Sequence, residues 1–247
     1  MKNIPFISAL FTPALIIIIL SGCSRIYYAP TTQNVPLLTE QNELRIAAGI
    51  SGGEEYEAVN IEVAYSPVKY VGIMLNSFHA AENSDSLFTN PVRYKGNLTE
   101  AGIGFYYPLA TYYTAEVYAG YGKGTAQYPW SFDTIAPLKF DRFFVQFSAG
   151  MKRKYFEIAL SDRFSYVHYT NIEEMYKIEA FSNYKYVPKN NQLYIFQEPA
   201  LTMRAGLEAI KFQMQYQICI PFSGPTLGYS SYNFNLGIML TPSVFFK

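Results

Sequence analysis

The chain alternates most strictly between apolar and polar side chains in the stretch KFQMQYQI, residues 211–218. Successive side chains of a β-strand point to opposite faces, so a period of two predicts a strand with one apolar face. Phe212, Met214 and Tyr216 form that face, and glutamines alternate with them. We therefore predict a strand whose two faces meet different surroundings.

Ten segments with this alternation follow one another along the chain. They are residues 44–50, 59–65, 71–76, 100–107, 113–122, 143–151, 156–163, 194–204, 211–220 and 232–240. One alternation is a weak signal, but ten in succession are typical of a barrel. The predicted fold is all-β, an antiparallel up-and-down β-barrel of about ten strands that comprises residues 43–247 and crosses a membrane. Near Pro199 the apolar positions change from even to odd numbers, so we expect either a β-bulge at Gln197–Pro199 or a strand that starts only at Ala200.

The connections between these segments alternate in length. The short ones are residues 66–69, 108–111, 152–154 and 206–210, and the long ones are residues 51–57, 80–96, 123–139, 170–191 and 222–230. Outer-membrane barrels have short periplasmic turns and longer loops outside the cell. Because the strand number is even, we expect both ends of the barrel chain on the short-turn side.

The direction of the apolar face separates two architectures. A soluble barrel in the periplasm would point its apolar face inward and bind a hydrophobic ligand, whereas a membrane barrel would point it toward lipid. The polar face of the segments is rich in Gly, Ala, Ser, Asn and Gln and carries few charges. A surface in water would carry more Lys and Glu, so this composition favours the membrane barrel.

The N-terminus has the features of a secretory signal. Lys2 precedes an apolar run from Phe6 to Leu20, and small residues lead to Cys23. Leu20-Ser21-Gly22-Cys23 resembles the lipobox of bacterial lipoproteins. That resemblance implies a signal peptide at residues 1–22, acyl chains such as palmitate on Cys23, and a lipidated linker at residues 23–42. We expect the lipid to sit on the short-turn side, in the inner leaflet.

The composition disfavours several other functions. Nineteen basic residues balance nineteen acidic ones, and without a basic excess nucleic acid is not an expected partner. Cys219 is the second of two cysteines and has no histidine at a zinc-ligand spacing, so we expect no metal and no cofactor.

Two stretches add a family resemblance. The first is residues 27–38, YYAPTTQNVPLL, and the second is residues 64–67, AYSP, with residues 71–74, VGIM; both resemble a group of Bacteroidota lipoproteins of unassigned activity. The similarity covers the signal, the linker and the first three strands closely, and the remainder only by pattern. It implies an outer-membrane β-barrel, but no functional site.

Charged residues on the polar faces are the main candidate site. They are Arg45, Glu62, Glu116, Glu157 and Arg204. In a narrow interior we expect them to pair, because an unpaired buried charge is very costly. The predicted interior charge cluster would close the barrel, and an ion path is the alternative.

We predict an outer-membrane lipoprotein with a structural or surface-binding role and no enzymatic activity. Aromatic residues in the long loops favour a protein or glycan at the cell surface as partner. They are Tyr128, Trp130, Phe132, Tyr176, Tyr184 and Tyr186. A third alternative is an acyl-transfer enzyme, since outer-membrane enzymes of that class use a histidine and a serine near the outer rim. Ser165 and His168 are the nearest such pair, but their spacing puts them on opposite faces of a strand.

Overall fold

A computed structural model describes residues 26–80, 94–127, 138–170, 188–189, 192–223 and 227–246. Cys23 and the aromatic residues named above in the long loops lie outside the described residues. Within them, the chain is almost entirely β-structure, with one short 3₁₀ helix at Pro242–Phe246.

Eleven strand segments form a single sheet. They are β1 Leu44–Gly53, β2 Tyr56–Val68, β3 Val71–Ala80, β4 Lys95–Ala110, β5 Tyr113–Gln127, β6 Leu138–Lys152, β7 Phe156–Tyr169, β8 Leu193–Gly206, β9 Ile210–Ile218, β10 Ile220–Ser223 and β11 Tyr232–Leu240. Only Cys219 separates β9 from β10, and both pair with β8 in one register as far as Pro221. The two segments therefore count as one strand of the sheet, and ten strands form the barrel wall.

Every strand is antiparallel to its neighbours, and each pairs with the next along the chain. The first strand also pairs with the last, because Ile46 lies opposite Leu240 and Gly52 lies opposite Phe234. This pairing leaves no open edge. The prediction of a closed, antiparallel, up-and-down barrel of about ten strands is confirmed.

The two ends of the barrel differ. At one, here called the short-turn end, residues 69–70, 111–112, 153–155 and 207–209 join consecutive strands. At the other, the long-loop end, residues 81–94, 128–137, 170–192 and 224–231 join them. The first connection at the long-loop end is tighter than predicted, since only Glu54 and Glu55 separate β1 from β2. Glu55 adopts a positive φ of 59°, and Gly53 leaves room for the inward ring of Tyr56, so the ladder continues into the predicted loop.

The apolar face of the alternating strands points outward. Phe143, Phe147 and Phe212 are 58%, 52% and 55% exposed, whereas Arg142 and Gln146, which alternate with them, are buried. The predicted alternation therefore holds, and the structure puts the polar residues inside. A soluble carrier would require the opposite arrangement.

The prediction of a phase change in β8 is wrong. This strand pairs with β7 without interruption from Phe156 opposite Ala205 to His168 opposite Leu193. The even-numbered residues of β8 point into the barrel, and Tyr194 and Phe196 are buried there. Near the long-loop end the interior is lined by aromatic and apolar side chains, so an inward position there is no longer polar.

Candidate functional site: the barrel interior

Residues 26–39, here called the interior segment, run through the barrel from end to end. At the long-loop end, the backbone N–H of Tyr27 donates to the carbonyl of Gly228 at 2.8 Å, and Ser230 donates to Tyr28 at 3.0 Å. At the short-turn end, the N–H of Thr39 donates to the Glu43 carboxylate at 2.9 Å. The chain then reverses at residues 40–43 and enters β1. Residues 26–39 of the predicted linker therefore lie inside the barrel.

Side chains of the wall satisfy the backbone of the interior segment. Gln215 accepts a hydrogen bond from the N–H of Gln33 at 2.7 Å and donates one to its carbonyl at 2.9 Å. Gln146 donates to the carbonyl of Asn34 at 2.7 Å. Every residue from Ile26 to Leu38 is buried, so an unmade hydrogen bond there would be costly. The inward amides of the wall therefore act as ligands for an extended peptide.

Inward glycines make room for this peptide. A Cβ atom at Gly150 would lie 2.9 Å from the side chain of Leu37, and one at Gly72 would lie 3.0 Å from that of Leu38. These contacts are closer than carbon atoms normally approach each other. The small residues of the polar face are therefore needed because a segment of chain fills the barrel.

Four charged residues surround Thr31, and we call them the Thr31 cluster. They are Glu100, Arg142, Arg163 and Glu198, all buried. Arg142 donates to Glu100 at 3.0 Å, and Arg163 donates to Glu198 at 2.6 Å. The same guanidinium groups reach the interior segment: Arg142 binds the Thr31 hydroxyl at 2.8 Å and Arg163 the Thr31 carbonyl at 2.7 Å. Two acids and two bases thus balance one another while holding the segment.

A second group lies near the short-turn end, and we call it the Glu157 cluster. The Glu157 carboxylate accepts from Arg45 at 2.5 Å and from Arg204 at 3.0 Å, and Lys211 lies 3.2 Å away. Arg204 also donates to the carbonyl of Val35 at 2.8 Å, and Arg45 donates to that of Pro36. Both clusters therefore join the wall to the same peptide.

The five residues predicted as an interior charge cluster all point inward and are buried. The structure brings together three of them, Arg45, Glu157 and Arg204. Glu116 instead accepts the backbone N–H groups of Leu37 and Leu38, at 3.1 and 2.8 Å, and forms no direct salt bridge in the described part of the chain, although Arg45 is near enough to attract its charge.

Glu62 forms no salt bridge in the described part of the chain, but it hydrogen-bonds to Gln213, which accepts a hydrogen bond from Arg204 of the Glu157 cluster at 2.7 Å. One of its carboxylate oxygens has no hydrogen-bond partner among the described residues. The side chain lines a cavity of about 10 Å³ together with Asn60, Asn76 and Thr31. That volume is about the size of one water molecule, so the interior around Glu62 is nearly filled.

The Thr31 cluster is what sequence reasoning missed. Arg142, Glu100 and Arg163 occupy inward positions in the alternation of their strands, and this alternation was the available signal that they point into the barrel. Glu198 was obscured by the incorrect phase change in β8, because a bulge would have turned it outward.

The candidate catalytic pair is not assembled. Ser165 points inward and donates to Glu198 at 3.0 Å, whereas His168 lies on the outward face of β7, as the spacing predicts.

Among the described residues, no group of three or more His, Cys, Asp or Glu is placed to hold a metal ion.

Glu43 binds the interior segment at the short-turn end and makes the free energy of unfolding dependent on pH. Burial raises the pKa of this carboxyl, but the charges of Lys152 and Arg45 lower it by more, so the pKa lies below its usual value. Its contribution should be complete above about pH 5 and disappear as the pH falls through the lowered pKa. We therefore expect Glu43→Gln to reduce the free energy of unfolding at pH 7 and the difference from wild type to shrink in acid.

Unfolding titrations at several pH values measure this effect. Glu208→Gln is the matched control, since Glu208 lies in an exposed turn 3.7 Å from Lys154 and should show little difference at any pH. A difference for Glu43→Gln that grows toward low pH would contradict the assignment.

The described residues include no helix that is both long and apolar enough to cross a membrane. No protein-family model matches the chain, and no curated protein is significantly similar to it.

Proposed function

We propose that this protein is an outer-membrane β-barrel lipoprotein, anchored through acyl chains on Cys23, with a structural or surface-binding role. The observation that carries the proposal is the reversed polarity of the barrel. Large apolar side chains are exposed around its outside, including Ile103, Phe105, Phe143, Leu160 and Ile238, whereas the buried charged side chains lie in the interior, which is occupied. An apolar surface of this extent is stable in contact with lipid.

Aromatic residues at the short-turn end support a membrane boundary there. Tyr70, Tyr112 and Tyr155 are exposed beside the turns. Lys69, Arg153 and Lys154 lie over their respective rings, at 4.9, 4.7 and 5.6 Å from the ring centroids. Tyrosine and basic side chains of this kind are favoured where lipid meets water, because an apolar ring carries a polar tip.

The filled interior favours a structural role over transport or ligand carriage. A soluble carrier needs an apolar cavity, but the interior segment and the two ion clusters occupy the space where a ligand would bind. The surface available for binding is then formed by the long connections. We propose a protein or glycan at the cell surface as the partner, and no chemical reaction.

Arginine substitution on the outer face tests the membrane placement. Val145 lies at the middle of β6 and points outward, so Val145→Arg should cost about 2–4 kcal/mol of unfolding free energy in a bilayer. Leu109→Arg is the matched control, because Leu109 is 62% exposed near the end of β4 and should lose only about 0–1 kcal/mol. Equal and small effects at both positions would contradict a bilayer around the barrel.

Extraction of the unlipidated barrel tests the same proposal without a stability measurement. The chain from Ser24, exported with an ordinary cleavable signal, should remain in the outer-membrane fraction after carbonate treatment. Release without detergent would instead support the soluble, lipid-anchored carrier.

Lipidation is expected to depend on Cys23 alone. Cys23→Ala should abolish incorporation of labelled fatty acid and leave the precursor uncleaved, because the lipobox sequence requires this cysteine. Cys219→Ala is the matched control and should be labelled and processed normally. Absence of labelled lipid in the wild-type protein would refute the lipoprotein assignment.

A further inference from the structure

The described chain starts at the long-loop end of the barrel. Ile26, its first residue, is buried, and the next two residues hydrogen-bond to the chain between β10 and β11. Tyr28 forms a β-bridge with Tyr229. We expected the N-terminal lipid at the short-turn end, whereas the described chain begins at the long-loop end.

The length of chain before Ile26 limits where Cys23 can be. Two residues, Ser24 and Arg25, lie between them, and the three Cα–Cα steps from Cys23 to Ile26 span at most about 11 Å even when fully extended. The apolar band of an outer-membrane barrel is about 25 Å tall. The interior is occupied by the segment itself, so Cys23 cannot return through it, and the route along the outside is too long.

Contacts at the long-loop end prevent the interior segment from sliding. The Tyr28 ring stacks on Phe196 with centroids 4.3 Å apart, and its hydroxyl donates to Glu198 at 2.6 Å. The hydroxyl of Tyr169 donates to the carbonyl of Tyr27 at 2.9 Å. Movement of the interior segment by one residue toward the short-turn end would break these contacts and those at Thr31 together.

We propose that the acylated Cys23 lies at the long-loop end of the barrel, on the same side as the long connections. This inference rests on the proposed function, in which that end faces the cell exterior. The acyl chains then enter the outer leaflet, and the lipid anchor is displayed at the cell surface. The interior segment connects the surface anchor to the barrel wall.

This arrangement constrains assembly. The interior segment precedes β1, and the barrel closes when β1 pairs with β11. If the barrel closed first, the acyl chains would have to pass the buried charges of its interior to reach the long-loop end, which is very costly. The barrel must therefore close around the segment, with the lipidated end already directed toward the long connections.

Epitope tags in the full-length lipoprotein test the proposal. One tag follows Ser24, a second replaces residues 84–88 in a long connection, and a third is inserted at Glu208 in a short turn. Antibody should bind the first two on intact cells and the third only after the outer membrane is permeabilised.

An N-terminal tag that becomes accessible only together with the Glu208 tag would overturn the proposal and leave the proposed function standing. A long-connection tag that stays inaccessible on intact cells would overturn the proposed function, and this inference with it.

Disulfide trapping tests the path of the chain without an inserted tag. β-Bridge partners are about 5 Å apart, within the range a disulfide spans, so Tyr28→Cys with Tyr229→Cys should crosslink in protein that carries labelled lipid. Tyr28→Cys with Glu208→Cys is the matched control and should not crosslink, since Glu208 is at the other end. Lipidated protein that forms the second crosslink and not the first would overturn the proposal.

Discussion

A chain that lacks residues 26–38 is expected to conduct ions steadily in a planar bilayer, whereas the intact chain is expected to show no steady conductance. Eight-stranded barrels have interiors that side chains just fill, and a ten-stranded barrel is wider. Here the interior segment occupies the additional space, and small inward residues such as Gly72 and Gly150 surround it. Without the segment, the wall between the aromatic cluster of the long-loop end and the short-turn end is polar and would admit water.

A peptide added back provides the control for this deletion. A synthetic peptide with the sequence of residues 26–38 should reduce the current of the deletion variant, because the amides of Gln146 and Gln215 and the Glu116 carboxylate would again have their backbone partners. A peptide of the same composition in scrambled order should not. A large, stable current through the intact chain would refute the closed interior, as would a folded deletion variant that stays closed.

Glu157→Gln is expected to reduce the free energy of unfolding by about 3–5 kcal/mol, because it leaves buried cations without their counter-charge. The carboxylate is the shared partner of Arg45, Arg204 and Lys211, and all four side chains are buried. The amide has nearly the same shape, so the change removes charge and leaves packing almost unchanged. Unfolding titrations of the purified barrel in lipid or detergent measure the loss.

Two further variants show whether the loss comes from stranded charge. Glu208→Gln removes the same charge from an exposed pair and should change stability by less than about 1 kcal/mol. Arg204→Met combined with Glu157→Gln should cost less than the sum of the two single changes, because one stranded cation is then absent. Additive losses, or equal effects at Glu157 and Glu208, would contradict an ion cluster.

The strands and the direction of their side chains could be predicted from local pattern. In KFQMQYQI, residues 211–218, the two-residue period of a strand places the apolar residues on one face and the glutamines on the other, and the polar face was predicted to be the inner one, as the structure shows. The inward position of Arg45 and Glu157 follows from the same parity. The pattern failed only where apolar side chains point inward, at Tyr194 and Phe196, since period alone does not distinguish an aromatic interior from a lipid-facing wall.

The interior segment could not be predicted, because its partners are distant in the chain. Residues 26–39 have no alternation, and their backbone hydrogen bonds are made by Gln215, Gln146 and Glu116 on three different strands. For the same reason only the closed barrel determines that Arg142 and Arg163 meet at Thr31. Amino-acid sequence alone determined the strands and their two faces, and it predicts a lipobox. Tertiary structure decided what fills the barrel and at which end the N-terminal segment leaves it, since both depend on contacts between residues that are far apart in the chain.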